Sequence, residues 1–404
     1  GRGTLLQGPA RYHGNGMMHR FLQLAMALLM AAPALSAGRR YLWVVRDGLR
    51  SPESIDSLLE RAAISGANGL VVQVVGRAEA YYHSDVLPLA DFHGTDDPLR
   101  YLISRARPLG MEVHAWVNAF LVWSAPWSPS DTSHVTLAHP EWMMTDRNGR
   151  STLDYGREEA DAAGLVGATL SPAEPGVREL LGAVAGELAS GYAIDGIHLD
   201  YIRYPGGSFG FEPGARALFT FHAGEDPLGG GYPRRPMSDD AAAEWSRWRG
   251  AMVTETVETV SAAVRSANPF LELSAAVIAD PWAAEGSFSC PWRDWLEDGL
   301  IDLAFPMAYA TDPEAAVRLA RLDTAVEPDR VVYGIACYNQ PVERAWDAAE
   351  LALERGAAGV CVFSLGAMDA RDAALLSRLW RGGRQTDTSP PTAFHRRWKG
   401  MFGP

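Results

Sequence analysis

The amino-acid sequence predicts an α/β protein built as one (β/α)8 TIM barrel, a single domain with long loops after its third and fourth strands. Eight short runs rich in apolar and β-branched residues lie between Tyr41 and Ser364. Longer segments with helical periodicity alternate with these runs, as in a chain of βα units around a parallel sheet. No GxGxxG turn follows an early strand, so the main signature of an open dinucleotide-binding sheet is missing.

Each predicted strand is short and mostly apolar, as expected of a parallel strand covered on both faces. In chain order the strands are residues 41–45, 70–75, 112–120, 196–202, 271–278, 302–309, 331–337 and 359–364. The first helix is predicted over 51–66, because Pro52 suits a first helical turn and Gly66 a helix end. Further helices are predicted over 96–110, 175–191 and 241–267, with shorter ones after strands five to eight.

Two connections are much longer than ordinary βα loops. The loop after strand three runs from about Leu121 to Glu174, and the loop after strand four from about Arg203 to Asp239. Both follow strand ends, where the active sites of TIM barrels lie. Their aromatic residues are predicted to form the walls of an extended groove: Trp123, Trp127, Trp142, Tyr155, Tyr204, Phe209 and Phe211.

The two ends of the chain are predicted to lie outside the barrel. Residues 1–37 are interpreted as upstream residues plus a secretory signal peptide, because Met18-His19-Arg20 precedes an apolar stretch, Phe21–Leu35, and small residues near Ala37. That stretch is shorter than the ~20 residues of a membrane span, so we expect cleavage, an extracytoplasmic location and no stable membrane anchor; a retained anchor is the alternative. Residues 38–380 form the predicted catalytic domain, and residues 381–404 a flexible tail.

Composition excludes several partners. The chain is 47% hydrophobic and 21% charged, with a net charge of −13. A nucleic-acid partner is not expected, because phosphate binding requires concentrated positive charge. The three cysteines are too few and too scattered for a disulfide scaffold or a zinc knuckle.

The fourth predicted strand places a carboxylate at the end of the barrel interior. In the stretch DGIHLDYIRYP, Gly196, His198 and Asp200 share one face of the strand, while Ile197 and Leu199 share the other. The apolar face must meet the helices, so His198 and Asp200 are predicted to point into the barrel. A buried ion pair between Asp200 and Arg203 is the purely structural explanation.

Other strands direct polar or aromatic residues to the same rim. Asn118 ends the third strand, Asp280 follows the fifth, and Tyr309 ends the sixth. The predicted substrate-binding residues are Gln73, Arg77, Glu79, Trp116, Asn118, His198, Arg203, Met307 and Tyr309.

Glycoside hydrolysis is a reaction that carboxylates and aromatic residues can carry out without a cofactor or metal. Asp200 is the predicted nucleophile or base, kept ionised by Arg203 and His198. Asp280 is the first candidate for the proton donor, followed by Glu285 and Glu79. Tryptophan and tyrosine faces suit the apolar surfaces of sugar rings.

The sequence resembles the glycosyl-hydrolase-like 10 family over roughly residues 41–370. The resemblance lies in GIHLDYIRYP after DG, QVVGRAEAYYHSDVLPL, DPLRYLISRARPLGMEVHAWVNAF, HPEWMMTDRNGR, and SAAVIADP followed by WRDWLEDGLIDLAFPMAY. It implies a TIM barrel acting on glycans, and some relatives cut peptidoglycan strands that have lost their stem peptides. The family's strand-four Asp, strand-three Asn and strand-six Tyr fall on Asp200, Asn118 and Tyr309. Where the peptidoglycan-active branch has a second Asp, this chain has Tyr201.

Two other functions remain open on the sequence. A barrel that binds glycan without cutting it would share the aromatic residues and differ only in lacking two carboxylates across the cleft. A metal-dependent hydrolase would need several histidines, and strand one, YLWVVRDG, has none. His114, His198 and Asp200 are the residues from which a partial metal site could be built.

Overall fold

The computed structural model describes residues 38–230 and 236–382, and its compact barrel unit begins at Arg39. The predicted signal peptide and all but two residues of the predicted tail lie outside the described residues, so these remain predictions. Ten strands occur in the described parts: β1 Arg39–Val44, β2 Gly69–Val75, β3 Glu112–Asn118, β4 Leu121–Trp123, β5 Ala168–Thr169, β6 Gly196–Asp200, β7 Glu272–Val277, β8 Leu303–Pro306, β9 Val332–Ala336 and β10 Gly359–Phe363.

Eight of these strands form one parallel sheet in the order β8-β7-β6-β3-β2-β1-β10-β9. Isolated parallel bridges between Ala304 and Val331 and between Met307 and Gly334 bring the two edge strands together. The sheet is therefore a nearly closed TIM barrel, which confirms the predicted fold and all eight predicted strands. The remaining two strands, β4 and β5, pair antiparallel inside the long loop after β3.

Helices connect the strands around the outside of the barrel. The α-helices of the described parts are α1 Pro52–Ser65, α2 Pro98–Ala106, α3 Val135–Ala138, α4 Arg157–Ala162, α5 Pro175–Gly191, α6 Pro213–Ala223, α7 Asp239–Ala267, α8 Pro281–Phe288, α9 Trp292–Glu297, α10 Pro313–Asp323, α11 Val342–Glu354 and α12 Ala370–Leu379. Helix α1 begins and ends as predicted: the Ser51 side chain accepts a hydrogen bond from the backbone of Ser54, and Gly66 closes the helix with a φ of 74°.

The barrel has an outer and an inner apolar layer, and β6 contributes to both. Ile197 and Leu199 are buried in the large cluster between the strands and the helices. His198 lies inside the barrel, where its ring centroid is 4.7 Å from that of Phe305. The period-two prediction for this strand is therefore confirmed, and it determines which side chains can reach the carboxyl-end rim.

The amino-end floor of the barrel is closed by a charged network. Arg39 donates to Glu272 at 2.8 Å through Nη1 and to the hydroxyl of Tyr41 at 2.7 Å. The Tyr41 hydroxyl in turn donates to Glu112 and lies 3.3 Å from Nε2 of His114. A hydrogen bond from His114, opposed by partial burial, lowers the pKa of Glu112 to about 2.

The loop after β6 builds a small core of its own. Phe211 packs there with Phe219 and the stacked rings of Trp245 and Trp248. The expectation that the loop aromatics line a groove was wrong for the buried residues Trp123, Phe209 and Phe211; Tyr204 is also buried but lines a small cavity. Trp127 alone among the seven is largely exposed, at 63%.

Candidate active site

Asp200 is the last residue of β6 and faces Asn118 of β3 across the sheet. Its Oδ1 accepts hydrogen bonds from the backbone N–H of Tyr201 at 2.7 Å and from Nη1 of Arg203 at 3.4 Å. The chain leaves the strand sharply, because Tyr201 has a left-handed φ of 51°. Asp200 is only 6% exposed, so its carboxyl is buried at the carboxyl end of the strand.

Burial raises the pKa of the Asp200 carboxyl, while Arg203 and the N–H of Tyr201 oppose this effect. The expectation that His198 also keeps it ionised was wrong. Nδ1 of His198 lies 2.9 Å from the hydroxyl of Ser274, and its Nε2 accepts a hydrogen bond from the indole of Trp43 at 3.3 Å. Burial lowers the pKa of His198 well below its usual range, so this ring is neutral inside the barrel.

An amide layer lies beside Asp200 and is held by hydrogen bonds. Oδ1 of Asn118 accepts from Nε2 of Gln73 at 3.2 Å and from the indole of Trp116 at 2.9 Å. Nδ2 of Asn118 donates to the carbonyl oxygen of Gly76 at 2.9 Å. Three of the predicted substrate-binding residues thus fix one another at the end of β2 and β3.

Glu79 lies just beyond β2 on the same rim and is half-buried. Burial raises the pKa of its carboxyl, and the positive charges of Arg77 and Arg46 oppose the rise. Within the described residues its carboxyl forms no ion pair, and no hydrogen bond to it is found. A carboxyl group with a raised pKa, free to contact a ligand, has the properties of a proton donor.

Asp280 has a different environment from the one predicted for a proton donor. It caps α8, where its Oδ1 accepts from the backbone N–H groups of Trp282 at 3.1 Å and Ala283 at 3.3 Å. Its Oδ2 accepts from Nη1 of Arg318 at 2.8 Å. The bond from Arg318 lowers the pKa of Asp280, whereas a proton donor needs a raised pKa. The geometry therefore disfavours this assignment; Glu285, the next candidate, is exposed on α8.

Tyr309 approaches Asp200 from β8. Its ring lies 6.4 Å from Trp43 and 5.8 Å from Phe363, measured between centroids. Burial raises the pKa of Tyr309 well above its usual range, and the charge of Asp200 contributes to the rise. Tyr309 therefore keeps its hydroxyl proton, while its neighbour Met307 is half-buried at the same strand end.

Arg46 is a rim residue that sequence reasoning did not single out. It lies two residues after the end of β1, and both its backbone N–H and its Nη1 donate to Oε1 of Gln73 at 3.3 Å. A Cβ atom at Gly76 would lie 2.6 Å from Cδ of Arg46, so glycine makes room for this side chain. Its position directly after the first predicted strand was the sequence signal that could have identified it.

A small cavity of about 100 Å³ adjoins the turn that follows Asp200. Tyr201 and Arg203 form one side of it, and Leu121, Thr169, Ile278 and Phe288 contribute to the others. The paired strands β4 and β5 of the long loop after β3 therefore lie against the turn that carries Arg203.

Residues 38–230 and 236–382 contain neither a candidate metal site nor a candidate membrane span. No group of three or more His, Cys, Asp or Glu side chains is arranged to hold a metal ion there. Within the same ranges, no helix has the length and apolar character needed to cross a membrane.

The family model and the curated proteins that match this chain are all described as glycosyl hydrolases or glycosyl-hydrolase-like. A family model described as Glycosyl hydrolase-like 10 matches residues 35–337. A protein of Bacillus subtilis (strain 168) named glycosyl hydrolase YngK is 24% identical over 294 residues, which are 66% of this chain and 51% of that protein. Glycosyl hydrolase DigH of Escherichia coli (strain K12) is 23% identical over 312 residues, 68% of this chain and 63% of that protein. The chain thus spans between about half and under two thirds of these curated relatives.

Among solved structures, the glycoside hydrolase domain of PgaB (BpsB) from Bordetella bronchiseptica is similar with a TM-score of 0.60. The sequence identity is 15%, and the similarity covers 84% of this chain and 98% of that domain. At this identity the likeness concerns the fold, which is that of TIM-barrel glycoside hydrolases.

Proposed function

The chain belongs to the glycosyl hydrolase-like 10 family, and from this premise we propose that it is a glycoside hydrolase that cleaves O-glycosidic bonds with two carboxyl groups. Asp200 acts as the nucleophile or base, and Glu79 acts as the proton donor in place of Asp280. The observation that carries the proposal is that both carboxyls lie at the carboxyl-end rim, Asp200 at the end of β6 and Glu79 just after β2.

The surroundings of the two carboxyl groups assign their roles. Burial raises the pKa of both, but only Asp200 accepts direct hydrogen bonds, from Arg203 and from the N–H of Tyr201. These donors favour the ionised form that attacks the anomeric carbon or activates water. Glu79 has no such donor within the described residues, and burial favours its protonated form, which can pass a proton to the leaving oxygen.

The spacing of the strands is compatible with this chemistry. β2 and β6 are separated by β3 alone, so their backbones are about 10 Å apart at ~4.8 Å per strand. Glycosidases that retain configuration hold their carboxyls ~5–5.5 Å apart, and inverting ones ~6.5–9.5 Å. Glu79 lies four residues beyond the end of β2, so the proposal requires its side chain to turn back toward Asp200 and bring the two carboxyls into this range.

We further propose that the substrate is a bacterial cell-wall glycan, such as peptidoglycan strands, or another polysaccharide, and that the enzyme works outside the cytoplasm. The substrate proposal draws on the family resemblance. The apolar segment Phe21–Leu35, followed by small residues, supports the location. No cofactor is required, because the two carboxyls supply both proton transfer and nucleophilic attack.

One observation favours a second candidate, a barrel that binds glycan without cleaving it. Asp200 is 6% exposed and paired with Arg203, which is also what a purely structural ion pair would show. In a binding barrel, replacing Asp200 by Asn would leave glycan affinity nearly unchanged, and neither the parent nor the variant would cleave glycan.

Product analysis separates these two functions. The protein without its predicted signal peptide would be incubated with peptidoglycan strands freed of stem peptides and with a panel of plant and microbial polysaccharides. Mass spectrometry should detect shortened glycans with the parent and none with Asp200→Asn. Binding without new reducing ends for every substrate in the panel would support the binding barrel instead.

A further inference from the structure

Two arginines at the carboxyl-end rim, Arg46 and Arg77, interact with the charge of Glu79 without forming an ion pair within the described residues. Arg46 follows β1 and Arg77 follows β2. Their side chains donate to neutral groups: Nη1 of Arg46 to Oε1 of Gln73 at 3.3 Å, and Nε of Arg77 to the hydroxyl of Ser124 at 3.2 Å. Arg203 on the same rim is different, because it is paired with Asp200.

The two guanidinium groups lie close enough to repel each other. Burial lowers the pKa of Arg77 and the charge of Arg46 lowers it further, while the charge of Glu79 opposes the shift. Both side chains are half-buried, so water screens this repulsion less than it would at an open surface. Holding two like charges together in this way costs free energy, and when Glu79 holds its proton as the proposed donor, a ligand anion bound between the arginines would recover it.

Both arginines are held in place before any ligand arrives. The absence of a side chain at Gly76 leaves the space that Cδ of Arg46 occupies. The backbone of Arg77 is fixed from below, since its carbonyl oxygen lies 2.7 Å from Nε2 of the fully buried His134. A fixed pair of donors loses little conformational freedom on binding a ligand.

A broad aromatic surface adjoins the guanidinium group of Arg77. That group lies 5.9 Å from the ring centroid of Trp127, and Trp127 is 63% exposed. The backbone of Trp127 is fixed by a 2.6 Å hydrogen bond that its carbonyl oxygen accepts from the indole of Trp123. An exposed indole face suits the C–H surface of a sugar ring.

We propose that Arg46 and Arg77 bind the carboxylate of an acidic sugar unit while that sugar packs on Trp127, so that the preferred substrate is a carboxylated glycan. The inference rests on the proposed function, because it assigns a subsite next to Glu79. A chain of net charge −13 repels an anionic polymer at long range, so such a substrate needs local positive charge. Guanidinium groups match carboxylates in geometry as well as in charge.

The subsite also has a consequence for the proton donor. Arg46 and Arg77 oppose the raised pKa of Glu79. A bound carboxylate neutralises part of their charge, so Glu79 holds its proton to higher pH in the complex than in the free enzyme. An acidic sugar unit would thus favour the proton transfer that cleaves its own glycan.

Binding measurements test the subsite without requiring cleavage. Peptidoglycan strands freed of stem peptides would be compared with the same strands after chemical reduction of their carboxyl groups, by calorimetry at low salt. Arg77→Gln and Arg46→Gln should each weaken binding of the acidic strands about ten- to hundredfold, because each removes a charge-assisted hydrogen bond. Neither should change binding of the reduced strands. Arg105→Gln removes one charge from the pair that Arg105 forms with Asp56 outside the barrel, so it is the matched control.

Further arms keep the inference open to refutation. Trp127→Ala should weaken binding of both glycan forms. Arg77→Lys keeps the positive charge, so it should bind acidic strands better than Arg77→Gln does, and it provides a second variant if Arg77→Gln folds poorly. A polymer with sulfate esters distinguishes a sulfate-binding site from a carboxylate-binding site. If it bound more tightly than the acidic strands, the assignment to carboxylate would be overturned. Equal affinity of the parent for acidic and reduced strands would overturn the subsite, even if both are cleaved. Preference for acidic strands without cleavage would support the subsite and refute the hydrolase.

Discussion

Replacing Glu79 by Gln tests the proton-donor assignment directly. Gln has nearly the same shape but has no proton to transfer to the leaving oxygen. General acid catalysis contributes about 10²- to 10⁴-fold to a rate, so the barrier should rise by about 2.7–5.5 kcal/mol. The loss should appear in kcat on natural glycan, because the proton moves only in the transition state.

The structure predicts that this loss is not a folding defect. No hydrogen bond to the Glu79 carboxyl is found within the described residues, and the side chain is half-buried. The free energy of unfolding should therefore change by less than about 0.5 kcal/mol. Circular dichroism and thermal unfolding of the variant should match those of the parent.

The pH profile identifies the role of Glu79 more specifically than the rate alone. Burial raises its pKa above the ordinary value of 4.5, so the parent should keep kcat/KM on the acid side and lose it as Glu79 deprotonates. Glu79→Gln should lack this alkaline limb. An aryl glycoside with a dinitrophenol leaving group needs no proton, so its hydrolysis should fall much less.

Asp280→Asn is the matched control for the competing assignment. Asn replaces Asp well as a helix cap, and the exposed pair with Arg318 contributes ~1 kcal/mol or less, so activity should stay within a few-fold of the parent. The reasoning would be refuted if Glu79→Gln retained activity on natural glycan while Asp280→Asn lost it.

Three further predictions concern Asp200, Glu112 and Gly76. Asp200→Asn should reduce glycan cleavage by at least ~10²-fold. Burial raises the pKa of Asp200 above 3.8, so the parent should lose stability relative to this variant as pH rises through that raised value. If the melting temperatures of the parent and the variant stayed parallel between pH 3 and 8, this prediction would be contradicted. Glu112→Gln should lower the stability of the protein at neutral pH, because the pKa of Glu112 is lowered to about 2 in the folded state. The variant should also lose less stability than the parent as pH falls from 4.5 to about 2. If acid unfolding followed by fluorescence were the same in both proteins, the floor network would be contradicted. Gly76→Ala should displace Arg46, since the added Cβ would lie 2.6 Å from its Cδ, and should raise KM for glycan more than it lowers kcat; steady-state kinetics with an unchanged KM would contradict this.

The fold could be predicted from the sequence because its signals are local. Each parallel strand is a short apolar run, and helix α1 carries its own start at Ser51 and its end at Gly66. The pairing of β4 with β5 was not predicted, because these strands have three and two residues. Too few side chains alternate in such short strands to reveal a period.

The site could be predicted only in part, because the sequence gives position but not environment. Asp200 and Asn118 were identified from the parity of their strands and lie opposite each other. Asp280 has the same kind of position, yet its two oxygens are used by the cap of α8 and by Arg318. Arg318 is a helical residue 38 positions further along the chain, and no spacing rule connects the two.

The last strand of the barrel completes the edge of the first. β1 takes its hydrogen bonds from β2 on one side and from β10 on the other, with Arg39 opposite Gly359. A chain that is still emerging from the ribosome lacks β10, so one flank of β1 stays open to unwanted pairing. Closure of the barrel therefore waits for synthesis of Gly359–Phe363, and a holding chaperone would be most useful before that strand arrives.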